Sequence, residues 1–209
     1  MKSPTEEYQS LKSSLKNTRK ILSRVPMHSC DTDPHHLKVR SYIFLTHAAF
    51  EQYLEDLAAK MLDTSVELFN KHQKINTCIF SVVVFETIAQ FNVDDSRKRI
   101  RSDVVKNLSK FVNLANRNHR SVIDSNNGIK KKDQQKLLLP LGLDPEEVDL
   151  QTSAHLDAFG VKRGAVAHKA KIVTNDTKSS VLADTKNICD GLKLFDRAAC
   201  RAVATSMKR

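Results

Sequence analysis

A guanidinium and an imidazole five residues apart, in the run Arg163-Gly-Ala-Val-Ala-His168, are the groups in this chain best suited to chemistry on a phosphodiester. Arginine presents a rigid fork of N–H donors that can hold a phosphate and stabilise charge developing on it. Histidine exchanges protons near neutral pH. With RNA as substrate the 2′-hydroxyl supplies the nucleophile, so this pair is the minimum set for cleavage without a metal or cofactor. The stretch from Phe159 to Lys171 also carries Lys162, Lys169 and Lys171 and no acid, which marks these lysines as candidate nucleic-acid contacts. On a straight helix Arg163 and His168 lie about 140° apart, so the long arginine side chain has to curl round to meet the ring. A symmetric second chain presenting the same helix would place two such pairs in one cleft.

The spacing alone is at the level of chance. Arg40 and His47 form a comparable pair, read here as ordinary packing on a core helix. Other chemistries lack their signatures: there is no phosphate-binding glycine loop, no G-x-S-x-G elbow and no H-E-x-x-H. Four dispersed cysteines and an isolated His35-His36 pair offer no metal-ligand spacing, so no metal is expected and the thiols are read as free. The net charge of +10 points to a polyanionic partner, because clustered cations gain free energy by releasing phosphate counterions. Residues 105–209 hold 19 Lys/Arg against 11 Asp/Glu, so +8 of that charge lies in the C-terminal half. No apolar run approaches the length of a membrane span and no signal-peptide core is present, which reads as a cytoplasmic protein with no membrane contact.

Only five glycines and five prolines interrupt 209 residues, too few for a turn-rich sandwich or barrel. The periodicity predicts an all-α bundle of five to seven helices in one domain spanning 1–209, with 1–30 holding an appended first helix. The strongest pattern runs over 37–71, where Ile43, Phe50, Leu54, Leu57, Met61 and Leu68 recur on one face without a breaker. Residues 76–92 carry a β-branched run that suits either a buried strand or a buried helix; the lack of a second strand favours the helix. Helices are then expected over 103–124, in a short piece ending near Leu139, over 148–169, and over a long final span of 179–207. Lys130 to Lys132 read as a solvated basic loop before the short piece, and His35-His36 as a flexible pair.

In this order the chain resembles the HEPN superfamily, in particular its RiboL-PSP-HEPN subgroup, over about residues 38–205. The resemblance rests on three features: Ala49-Phe50-Glu51-Gln-Tyr53-Leu54 in the long early helix, the Leu141-Gly142-Leu143 turn, and Arg163 to His168 ending an aliphatic helix. It implies a helical bundle with a long core helix and a long C-terminal helix, commonly dimeric through the motif helices. It also implies a metal-independent endoribonuclease of a defence or toxin-like system, with a cognate partner or inhibitor protein. Arg163 would bind the scissile phosphate, His168 would act as general base or acid, and Glu51 would orient the site from the facing helix. Two positions depart from the pattern. Gly164 replaces the Asn or other polar residue usual after the arginine, and Ala170 stands where partner-modified toxins carry tyrosine. Gly164 leaves open a non-catalytic module that binds RNA, a nucleotide or a protein, and a purely structural dimerisation domain is the third reading.

Overall fold

The computed structural model describes residues 1–88, 97–168 and 173–205, with side chains described for 1–86, 107–164 and 173–205. Its helices are α1 (Glu6–Thr18), α2 (Asp33–His72), α3 (Thr77–Ile88), α4 (Arg97–Asp124), α5 (Lys131–Leu138), α6 (Pro145–His168) and α7 (Lys178–Ala204). Short 3-10 turns follow α1 at Arg19–Leu22 and α5 at Leu139–Leu141. No strand occurs among the described residues, so the fold is the all-α bundle that the sequence predicts.

Helix α2 is the axis of the bundle and touches every other helix. Thr32 starts it by accepting the His35 N–H, Pro34 suits its first turn, and Gln73 ends it in the left-handed region at φ 52°. Its buried residues include Val39, Tyr42, Phe50, Leu54, Ala58, Met61 and Phe69, which spread beyond one face because neighbours surround it. This early start corrects the reading of His35-His36 as a flexible pair: both lie in the first turn, and His36 is buried.

The ambiguous 76–92 segment resolves as helix up to Ile88, while 89–92 lie outside the described residues. Buried Asn76 decides it. Its Oδ1 accepts the Ile79 N–H at 2.9 Å, and its Nδ2 donates to Ser65 Oγ and the Val203 carbonyl, each at 2.9 Å. A side chain satisfying the first free N–H of a turn favours helix over the extended alternative. The basic run Lys130 to Lys132 is likewise no loop. Lys131 and Lys132 open α5, because the Asp133 carboxylate accepts the Lys130 N–H at 3.1 Å. Helix α6 changes direction at Asp149, whose extended backbone and contact with the Thr152 hydroxyl restart the helix.

The N-terminal helix, expected as an appendage, contributes Tyr8, Leu11 and Leu15 to the same core. Its cap residue Thr5 donates its N–H to both carboxylate oxygens of fully buried Asp196 on α7, each at 3.3 Å. On α7 the predicted stripe of Val181, Ile188, Leu192, Phe195, Ala199 and Val203 is buried. Residue 206 onward lies outside the described residues. Gly191 lets α7 close on α6: a Cβ there would overlap Thr152 Oγ1 and come within 2.9 Å of Thr152 Cβ. Gly191→Ala is therefore expected to destabilise the protein by about 1–3 kcal/mol through overpacking. Thermal unfolding of Gly191→Ala and of Gly191→Ala/Thr152→Ala checks this, with the double variant recovering part of the loss.

Candidate functional site

Helices α2 and α6 run antiparallel where they carry the candidate residues. Phe50 meets Phe159 edge-on, with ring centroids 5.7 Å apart and planes at 84°, whereas Arg163 lies over Phe44, its Cζ 5.6 Å from the ring centroid. Moving one turn forward on α6 thus means moving backward on α2. Phe159 and Arg163 stand at i and i+4, so the aromatic lock that buries the first aims the second at the same neighbour. A guanidinium on an aromatic face contributes on the order of 0.5–2 kcal/mol, depending on how dry the contact is. The arginine is planted rather than free to sweep.

Phe44, His47 and Glu51 sit at i, i+3 and i+7 on α2 and form the stripe that faces Arg163. His47 Nδ1 lies 3.7 Å from Glu51 Oε2; the histidine side chain is 4% exposed and the glutamate 21%. Burial first, and the Arg163 guanidinium second, hold the His47 imidazole down at about 4, so it is neutral at physiological pH. The contact with Glu51 is then polar rather than an ion pair, and longer than a hydrogen bond. Burial, followed by the neighbouring Glu55, pushes the Glu51 carboxyl above its ordinary value, against the pull of Arg163. From the far side, Lys130 and Asp133 add one charge of each sign. Gly160 makes room for that side: a Cβ there would sit 2.9 Å from Lys130 Cγ.

Lys162, expected to contact nucleic acid, is turned toward α7 by one residue of helical rotation. Its Nζ reaches Asp176 Oδ1 at 2.7 Å and Asp184 Oδ2 at 2.9 Å. Burial opposes its charge, but the two carboxylates outweigh that and hold the ammonium above the usual lysine range. Beside this clamp, the Thr174 N–H donates to His36 Nδ1 at 3.2 Å, and Thr174 Oγ1 accepts the Asp176 N–H at 3.1 Å. The chain after the motif is thus tied back to both α6 and α2. The structure brings Arg163 and Glu51 to one place. His168 ends α6 with its side chain outside the described residues, and Lys169 and Lys171 lie outside them altogether.

Spacing along the chain does not single out His47. Its i,i+7 relation to Arg40 suggested packing, and nothing local in the sequence links it to Arg163. Among the described residues no group of three or more His, Cys, Asp or Glu could hold a metal ion, and no helix is long and apolar enough to cross a membrane.

An all-helical bundle round a long central helix, with the arginine-bearing helix packed antiparallel on it through Phe50 and Phe159, fits the architecture of a HEPN domain. The family model described as RiboL-PSP-HEPN matches residues 6–201, α1 included, and the chain belongs to that family. No curated protein and no solved structure matches it. HEPN membership points to a ribonuclease or a nucleotide-binding module.

The buried neutral imidazole has a consequence for stability. An unfolded chain takes up a proton on His47 near pH 6.5, whereas the folded one resists until about pH 4. Folding stability is unaffected above 6.5 and falls as pH drops through this window, by an amount on the order of 3 kcal/mol at its lower end. Buried His119, whose value is lowered in the same direction chiefly by burial, adds to the slope. Urea unfolding across this range should show a shallower decline for His47→Gln than for the parent chain.

Proposed function

We propose that the protein is a metal-independent endoribonuclease of the HEPN class, working in a defence or toxin-like system. The observation that carries this reading is the placement of Arg163: fixed on Phe44, facing the Glu51 stripe, and in a chain with net charge +10. In this reading Arg163 binds the scissile phosphate and stabilises the charge that grows on its non-bridging oxygens. The 2′-hydroxyl attacks phosphorus and the bond to the 5′-oxygen breaks, leaving a 2′,3′-cyclic phosphate. His168 takes the 2′-hydroxyl proton, and a protonated imidazole or water returns one to the departing oxygen. Glu51 orients the guanidinium from α2. Lys169 and Lys171 follow the RNA backbone, while Lys162 anchors the end of α6 through its two carboxylates. Two chains meet through their motif helices, so that two Arg163/His168 pairs line one cleft, and a cognate protein restrains the activity.

The test is incubation of the purified protein with a broad RNA panel in EDTA. His168→Ala is expected to reduce cleavage by roughly a hundredfold or more while the protein stays folded. Arg163→Ala should cost a similar factor and weaken RNA binding as well. Intact RNA in both parent and variant samples would end the nuclease reading.

A second reading, a module that binds RNA without cutting it, is favoured by Gly164. Active members usually carry a polar residue there, and glycine costs about 1 kcal/mol of helix stability relative to alanine. Nothing lies within 4 Å of where a Cβ at Gly164 would stand, so the position accepts a side chain. Gly164→Asn is expected to fold and, on the nuclease reading, to cleave faster than the parent. A gel shift that weakens at least about tenfold from low to physiological salt, with no cleavage by either protein, would select the binding module.

A further inference from the structure

His47 is 3% exposed, too buried to touch a substrate, yet it shares one helix stripe with Glu51 and with Phe44, on which Arg163 rests. The charged groups facing it come from each packed element: Glu51 on its own helix, Arg163 on α6, and Lys130 and Asp133 where the chain enters α5. Arg163 cannot move far from it, because the guanidinium rests on Phe44, one turn from His47 on the same stripe. A ring with a carboxylate at 3.7 Å, and with a guanidinium seated on Phe44 one turn away along the same stripe, feels the sum of their charges. Any ligand that changes the charge at Arg163 changes what that ring experiences.

We propose that His47 is a positioning residue that makes anion binding at Arg163 proton-linked: an RNA phosphate seated on the guanidinium favours uptake of a proton by the buried ring. The inference rests on the reading of Arg163 as the phosphate-binding group. The coupling follows from like charges. With no anion bound at Arg163, a proton on His47 would add a second cation on the same stripe in a poorly solvated place. A phosphate oxyanion on Arg163 cancels that opposition, and Glu51 is already positioned to pair with the protonated ring. Linkage is reciprocal, so if phosphate favours the proton, the proton favours phosphate and binding tightens as pH falls. The imidazolium then holds Glu51 by an ion pair, which stiffens the stripe against which Arg163 is aimed.

The experiment uses the full chain carrying His168→Ala, which removes the other imidazole assigned to the site, and a 2′-O-methyl oligoribonucleotide that cannot be cleaved. Imidazole resonances of the labelled protein report the His47 midpoint, expected to rise from about 4 when the oligonucleotide is added. Arg163→Gln should raise it without any ligand. The dissociation constant of the oligonucleotide should fall between pH 7 and pH 5, by about twofold for a one-unit rise of the midpoint and about tenfold for a two-unit rise, because the full tenfold per unit is reached only below the midpoint of the free protein. His47→Gln, added to the same background, should abolish most of this pH dependence. Titration needs no further variant, so the test survives if His47→Gln fails to fold. An identical His47 midpoint in free, oligonucleotide-bound and Arg163→Gln proteins overturns the proposal. Equal oligonucleotide affinity with and without Arg163 overturns it too, by removing the phosphate role beneath it. A His47 shift in a protein whose parent chain cleaves no RNA leaves the coupling standing and removes only the nuclease reading.

Discussion

The edge-on contact of Phe50 with Phe159 is the constraint on which the site depends. Aromatic pairs in this geometry add roughly 0.5–1.5 kcal/mol beyond the area they bury, and each ring removes a large apolar surface from water. The energy is less important here than the direction. With Phe159 locked against Phe50, the residue one turn later on α6 is carried toward the earlier part of α2, where Arg163 rests on Phe44, at the head of the stripe that continues through His47 to Glu51. Arg163 is aimed by hydrophobic packing, and among the described residues it makes no salt bridge. Electrostatic complementarity then acts on groups already in place.

Two kinds of buried polar group follow from this arrangement. Asn76, Gln134 and Asp196 are each fully buried and each spans neighbouring elements through hydrogen bonds. Such groups offset their desolvation by satisfied bonds and fix the register of the bundle. The His47/Glu51 pair differs. Both are pushed toward their neutral forms by burial, and both feel Arg163 across a helix boundary. Groups held away from their ordinary ionisation next to an exposed edge are those that a ligand's charge can perturb. The Lys162 clamp supports them indirectly by tying the end of α6 to Asp176 and Asp184.

Much of the helical content was legible because its causes are local. The apolar recurrence in 37–71 and the stripe on α7 report the 3.6-residue period directly. The 76–92 segment was ambiguous because a fully buried element has no polar face to show its period; the cap at Asn76 was the signal that could have decided it. The pairing of Lys162 is hidden in the sequence for a different reason. The Phe159 to Lys171 stretch has no acid of its own, but its carboxylates arrive from the next loop and from α7. Charge counted along the chain does not reveal the charge that folding brings alongside. Glu51 was singled out through the family pattern rather than its spacing, and His47 was set aside because i,i+7 on a core helix is the commonest of relations.

By itself the sequence determined that the chain is helical, that its positive charge gathers in the second half, and that Arg163 and His168 belong to one helix. Periodicity, capping and composition act over a few residues, so they survive without knowledge of the partners. Which residues Arg163 faces, which lysine is already neutralised, and which histidine is held uncharged were decided only in three dimensions. Those facts depend on helices closing at Gly160 and Gly191 and interlocking at Phe50 and Phe159, contacts between residues far apart in the chain. Local spacing carries no record of them, because ridge-into-groove packing is a property of two surfaces together.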